Sequence, residues 1–146
     1  MGGPRSFDRT AQGFPPSQES RVSGITFDAG GLIALDRHDR RVLALLARAT
    51  ERGLRVTIPA TALAQAMRNP ARQARLARLI RQAGTDVVPL EGPDATATGL
   101  LLASSRTSDI VDAHVVICAR SAAQVVVTRD AADLRKHDAS LTMVVV

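Results

Sequence analysis

From Gly24 onward the chain alternates short apolar runs with stretches of helical period, and that alternation limits the fold more than any other feature. The runs lie near residues 24–27, 55–58, 86–89, 125–127 and 142–146, the length of strands, and the segments between them are long enough for helices. Strands alternating with helices build βαβ units around a parallel sheet. The expected fold is therefore α/β, with helices on a central, mainly parallel five-stranded sheet. At 146 residues the chain is the size of one domain, able to bury about 68 to 70% of its unfolded surface, so no second core is needed.

Residues 1–22 read differently. They are rich in Gly, Pro, Ser, Gln and Arg and show no helical or strand period, so they are expected to be a disordered leader or to follow a misplaced start codon. The domain then spans 23–146. Within it, Asp28-Ala29-Gly30-Gly31 opens a short helix, and Val42, Leu43, Leu45, Leu46 and Ala49 mark a second that Gly53 ends. Pro59 closes the second strand ahead of a helix over 61–68. Asn69-Pro70 reads as the cap and first turn of a separate helix reaching Gln82. Helices over 93–105 and 109–123 follow, and Asp130 caps a last short one.

Composition removes some functions. The only aromatic residues are Phe7, Phe14 and Phe27, which argues against a base-stacking platform for single strands. The formal charge is +5, carried by 18 arginines and one lysine, Lys136. Arginine's planar fork suits phosphate and carboxylate, so RNA or an acidic protein would fit, although a GC-rich genome would leave the same mark. Arg68, Arg72, Arg75, Arg78 and Arg81 form a basic flank that is either a phosphate-contacting surface or an ordinary solvated face. The lone Cys118 sits in an apolar run and is expected to be a buried thiol, which with the lack of an apolar membrane span or signal core points to the cytoplasm.

The candidate chemistry lies in aspartates placed where the runs stop. Asp28 follows the first strand and Asp130 the fourth, and Asp109 and Asp112 open the long helix between them. If the two strands are parallel neighbours, these carboxylates leave the sheet at its carboxyl edge, where open α/β folds keep their sites. Gathered there, they repel one another and call for a hard divalent cation such as Mg2+ or Mn2+. Each also has a structural alternative: Asp28, Asp109 and Asp130 can cap helices, and Asp112 and Asp133 stand three residues after a cap. His114 and His137 have no second His or Cys at ligand spacing on the same element, so zinc is not indicated. His114 reads as a helix-face residue near the acids, with substrate contact the lesser alternative.

Four blocks, Gly24 to Leu35, Ile58 to Ala66, Asp109 to His114 and Val127 to Leu134, resemble in order and spacing those of PIN-domain proteins, above all VapC-like toxins of bacterial toxin–antitoxin pairs. The resemblance covers about residues 24–140. It implies a PIN-like three-layer α/β/α fold and a metal-dependent endoribonuclease, in which acids hold Mg2+ or Mn2+ and a metal-activated water attacks the phosphodiester. On that likeness Asp28, Asp112 and Asp130 would be the catalytic metal ligands, Asp109 a further ligand, and Thr128 a hydrogen-bonding partner of a ligand or water. It also implies a cognate antitoxin, met by the Leu-rich second helix and by Arg68 or Arg72, and a homodimer. The family's second acid aligns with Gln65, whose amide oxygen can ligate but adds no charge. Asp109 could restore that charge, Gln65 could leave a weaker enzyme, or the chain could be a silent PIN module that binds RNA or an antitoxin. A receiver domain would need a second acid beside Asp28, a dehalogenase-like phosphatase an acid at position 30, where Gly30 stands, and a dinucleotide loop the G-x-G-x-x-G spacing.

Overall fold

The computed structural model describes residues 23–146, so the expected leader at 1–22 lies outside the described residues. Five strands are joined by helices in the order β1 (Gly24–Phe27), α1 (Ala29–Asp36), α2 (Arg40–Glu51), β2 (Arg55–Pro59), α3 (Ala60–Ala66), a 3-10 turn (Pro70–Arg72), α4 (Ala74–Ile80), β3 (Thr85–Val88), α5 (Gly92–Ser105), α6 (Ile110–Ala122), β4 (Val125–Thr128), α7 (Ala131–Arg135) and β5 (Met143–Val145). The sheet runs β3-β2-β1-β4-β5 and every pairing is parallel, so the expected "mainly parallel" sheet is wholly so. Helices cover both faces of this parallel sheet, giving three layers.

The inner strands β1 and β4 are buried along their whole length, as runs covered on both faces must be. Ile25, Phe27, Ile58, Val126, Leu32, Leu45, Leu76 and Val116 meet in one core. In α1 the side chain at position 31 has been removed to let the helix approach the sheet: a Cβ there would stand 2.5 Å from the Val127 carbonyl oxygen and 3.0 Å from the Phe27 ring. That contact seats the first turn of α1 over the junction of β1 and β4.

One expected element is different. The helix read over 69–82 is a 3-10 turn, a break at Gln73, and the short helix α4. The Gln73 side chain makes the break: its buried carbonyl accepts from the amides of Arg68 and Asn69, each at 2.9 Å, and its Nε2 donates to the Ala66 carbonyl at 3.0 Å. Asn69 makes no side-chain cap, contrary to the expectation. The helix expected over 61–68 ends at Ala66 for the same reason.

Candidate active site

The strand order fixes where a site can be. From β1 the chain builds outward through β2 to β3, and the later strands build outward from β1 on its other side, so the switch of direction falls between β1 and β4. Ligand crevices of open α/β sheets lie beyond the carboxyl ends of such strands. Phe27 pairs with Val127, and Asp28 leaves β1 with its amide still donating to the Val127 carbonyl at 3.2 Å. Asp28 is therefore held at the switch point by the sheet itself.

Three of these aspartates cap helices, and the caps are visible. Asp28 Oδ1 accepts from the Gly31 amide at 2.7 Å, Asp109 Oδ1 from the Asp112 amide at 2.9 Å, and Asp130 Oδ1 from the Asp133 amide at 3.4 Å. A cap engages only one of a carboxylate's two oxygens. The remaining charge is sensed across the cluster. Burial pushes the Asp112 carboxyl up to about 7, and the neighbouring charges of Asp109, Asp28 and Asp133 push in the same direction. Asp28, only 7% exposed, is raised by burial and by Asp130, against the pull of the Thr128 hydroxyl and the Gly31 and Gly30 amides. Thr128 Oγ also accepts from the Asp130 amide at 3.0 Å, so one hydroxyl sets the positions of two acids.

Asp28, Asp109, Asp112 and Asp130 are thus brought to one edge, and Asp133, expected only as a helix-cap partner, joins them. Its spacing from Asp130 was the available signal. Nearby, Lys136 reaches Asp133 at 3.2 Å. Gln65 is exposed on α3 and hydrogen-bonds none of the aspartates among the described residues. Arg68 is exposed and turns back on its own helix, donating to the Met67 carbonyl at 3.0 Å, while Arg72 is exposed on the 3-10 turn. His114 is fully buried, its Nδ1 2.7 Å from the Thr61 hydroxyl, so it cannot touch substrate and the lesser alternative falls. His137 is buried with Nδ1 within hydrogen-bond distance of Thr107 and Ser105. Cys118 is a buried thiol pushed up to about 12 by burial.

The donor chemistry of the edge suits a hard divalent cation, because every candidate ligand is an oxygen and the carboxylates raise one another's affinity for positive charge. Among the described residues, however, no three His, Cys, Asp or Glu side chains stand close enough together to hold a metal ion as they are. Among the same residues no helix is long and apolar enough to cross a membrane.

No protein-family model matches the sequence, and no curated protein does. Solved structures do match. One is FitAcB from Neisseria gonorrhoeae, at TM-score 0.57 and 16% identity over 82% of this chain and 96% of that one. Another is VapBC2 from Rickettsia felis bound to a DNA fragment from their promoter, at TM-score 0.59 and 12% identity over the same shares of the two chains. Identity this low speaks to architecture alone, and in architecture the chain is a PIN-like α/β/α domain, similar over nearly all of each matched chain to FitAcB and VapBC2.

Proposed function

We propose that this protein is a metal-dependent endoribonuclease, the toxin of a cytoplasmic toxin–antitoxin pair. The observation that carries the reading is the gathering of Asp28, Asp109, Asp112 and Asp133 from separate segments, where burial first and then the neighbouring carboxylates push the Asp112 carboxyl up to about 7. A structural role alone does not call for it: a cap needs one acceptor, and Ser, Thr or Asn would supply that without repulsion.

Asp28, Asp112 and Asp130 would hold Mg2+ or Mn2+, with Asp109 as a further ligand. A bound ion of this kind supplies a lowered water pKa and a counter-charge for the phosphate and leaving oxygen. The chain's own part is positioning. The Thr128 hydroxyl lies against the Asp28 carboxylate and receives the Asp130 amide, and the Gly31 amide fixes the Asp28 carboxylate at one oxygen. Gln65 can lend an amide oxygen from α3.

The antitoxin reading is supported by the likeness to VapBC2 and by a groove of about 220 Å³ lined by Leu35, Leu43, Leu46, Leu79, Arg75 and Arg78. An amphipathic helix with acidic flanks fits such a groove. The Leu-rich α2 lines this groove together with Arg75 and Arg78, while Arg68 and Arg72 lie outside its lining. A homodimer is proposed with it.

The deciding experiment is cleavage of total and transfer RNA by purified protein, with Mn2+ or with EDTA. Cleavage that EDTA stops, and that Asp28→Asn and Asp130→Asn each abolish in folded protein, supports the reading. Unchanged cleavage by both variants removes these residues from the mechanism. The second reading, a silent module that binds RNA or an antitoxin, is favoured by the neutral Gln65 and by the caps that each occupy one carboxylate oxygen. A melting temperature that ignores Mn2+ would select it.

A further inference from the structure

The five aspartates at the carboxyl edge create a problem for the proposed substrate, because a strand of phosphates approaching them is repelled. A metal ion offsets only the charge it touches. A cation of the protein's own beside the carboxylates would offset the rest, and several of the described cations are already engaged. Lys136 is on Asp133, Arg120 binds Asp138 at 2.9 Å, Arg55 binds Asp86 at 2.6 Å, and Arg68 caps its own helix.

Arg129 is placed differently. It stands between Thr128 and Asp130, is exposed, and makes no ion pair or hydrogen bond from its side chain among the described residues. Its stem lies across the first turn of α1: a Cβ on Gly30 would be 3.2 Å from Arg129 Cβ and 3.4 Å from its Cγ. The missing side chain at position 30 thus makes room for the root of this arginine at the switch point. A guanidinium is well suited to the task, since its planar fork can give two parallel N–H bonds to one phosphate.

We propose that Arg129 is a substrate-binding residue of this site, gripping a phosphodiester of the RNA strand next to the carboxylates. The inference rests on the nuclease reading above. It adds a side chain whose effect on binding can be measured without cleavage.

The test is fluorescence anisotropy of a labelled 12-nucleotide single-stranded RNA with the full chain in EDTA, repeated across a range of KCl. Arg129→Ala should weaken binding about tenfold, the effect of losing one charged hydrogen-bonding contact, and lower the salt slope by about 0.7. Arg129→Lys should keep the slope but regain only part of the affinity. Arg81→Ala, on the basic flank of α4, should change less. In Mn2+ the Arg129→Ala enzyme should show a KM that rises more than its kcat falls. Equal affinity and slope for wild type and Arg129→Ala would overturn the assignment and leave the nuclease reading standing. A loss at Arg81 as large as at Arg129 would also overturn it, since binding would then follow bulk charge. No RNA binding by the wild type at any salt would sink both.

Discussion

Asp112→Asn offers a direct test of the uncompensated cluster. Asp112 moves from an ordinary 3.8 to about 7 in the folded protein, and taken whole that shift corresponds to about 4 kcal/mol between its protonation states. The side chain is only half-buried, so solvent screening reduces the cost to about 1 to 2 kcal/mol. The substitution also removes a favourable charge from the first turn of α6, about 0.3 to 1 kcal/mol. A net gain of about 1 kcal/mol remains at pH 8, a few degrees in Tm. The pH dependence follows from the direction of the shift. With its folded pKa raised, Asp112 binds more protons in the native than in the unfolded state between about pH 4 and 7. Wild-type stability therefore falls through that window and is flat above it, whereas the variant lacks this fall. Urea denaturation of both proteins in EDTA at pH 5 and pH 8 measures it. A variant no more stable than wild type at pH 8, or equally favoured at both pH values, would refute the reasoning. Adding Mn2+ at pH 8 should then stabilise the wild type more than the variant, reversing the order.

Other substitutions test other parts of the structure. Gly31→Ala puts a Cβ 2.5 Å from a backbone carbonyl of β4 and should cost about 2 to 3 kcal/mol in chemical denaturation, with α1 displaced from the site. Ala123, at the end of α6, has φ 55°, so Ala123→Gly should raise stability by about 1 kcal/mol. Gln73→Ala strands two amides and a carbonyl and should cost about 2 to 3 kcal/mol, with faster amide exchange at Arg68 and Asn69. Gln65→Glu should tighten Mn2+ binding measured by calorimetry, because it adds charge at the proposed ligand position; equal or weaker binding would place Gln65 away from the metal.

The strands were legible because runs such as Val125 to Thr128 are buried on both faces and have little else to become. The break at Gln73 was not. Arginines three apart suit a 3-10 turn and a slowly drifting α-helical face alike, and the bonds that decide between them run from one side chain to a backbone bend four and five residues upstream. The site was legible in its residues and ambiguous in its purpose, because capping and ligation are both tasks for a carboxylate. Only the convergence of separate segments shows that Asp112 feels Asp28, which lies far from it in sequence. Substrate contact by His114, the lesser alternative, fails for a physical reason: its helix is buried along much of its length, Ala113 through Val116 included, so no turn of it offers an open face there.

The pairing of β1 with β4 joins Ile25 to Val125, and a parallel contact of that span cannot form until the later strand exists. During synthesis the amino-terminal half can collect its helices and its first three strands while the crevice still lacks one wall. A chain interrupted before Val125 therefore lacks the pocket, and the proposed site comes into being only once β4 has been made.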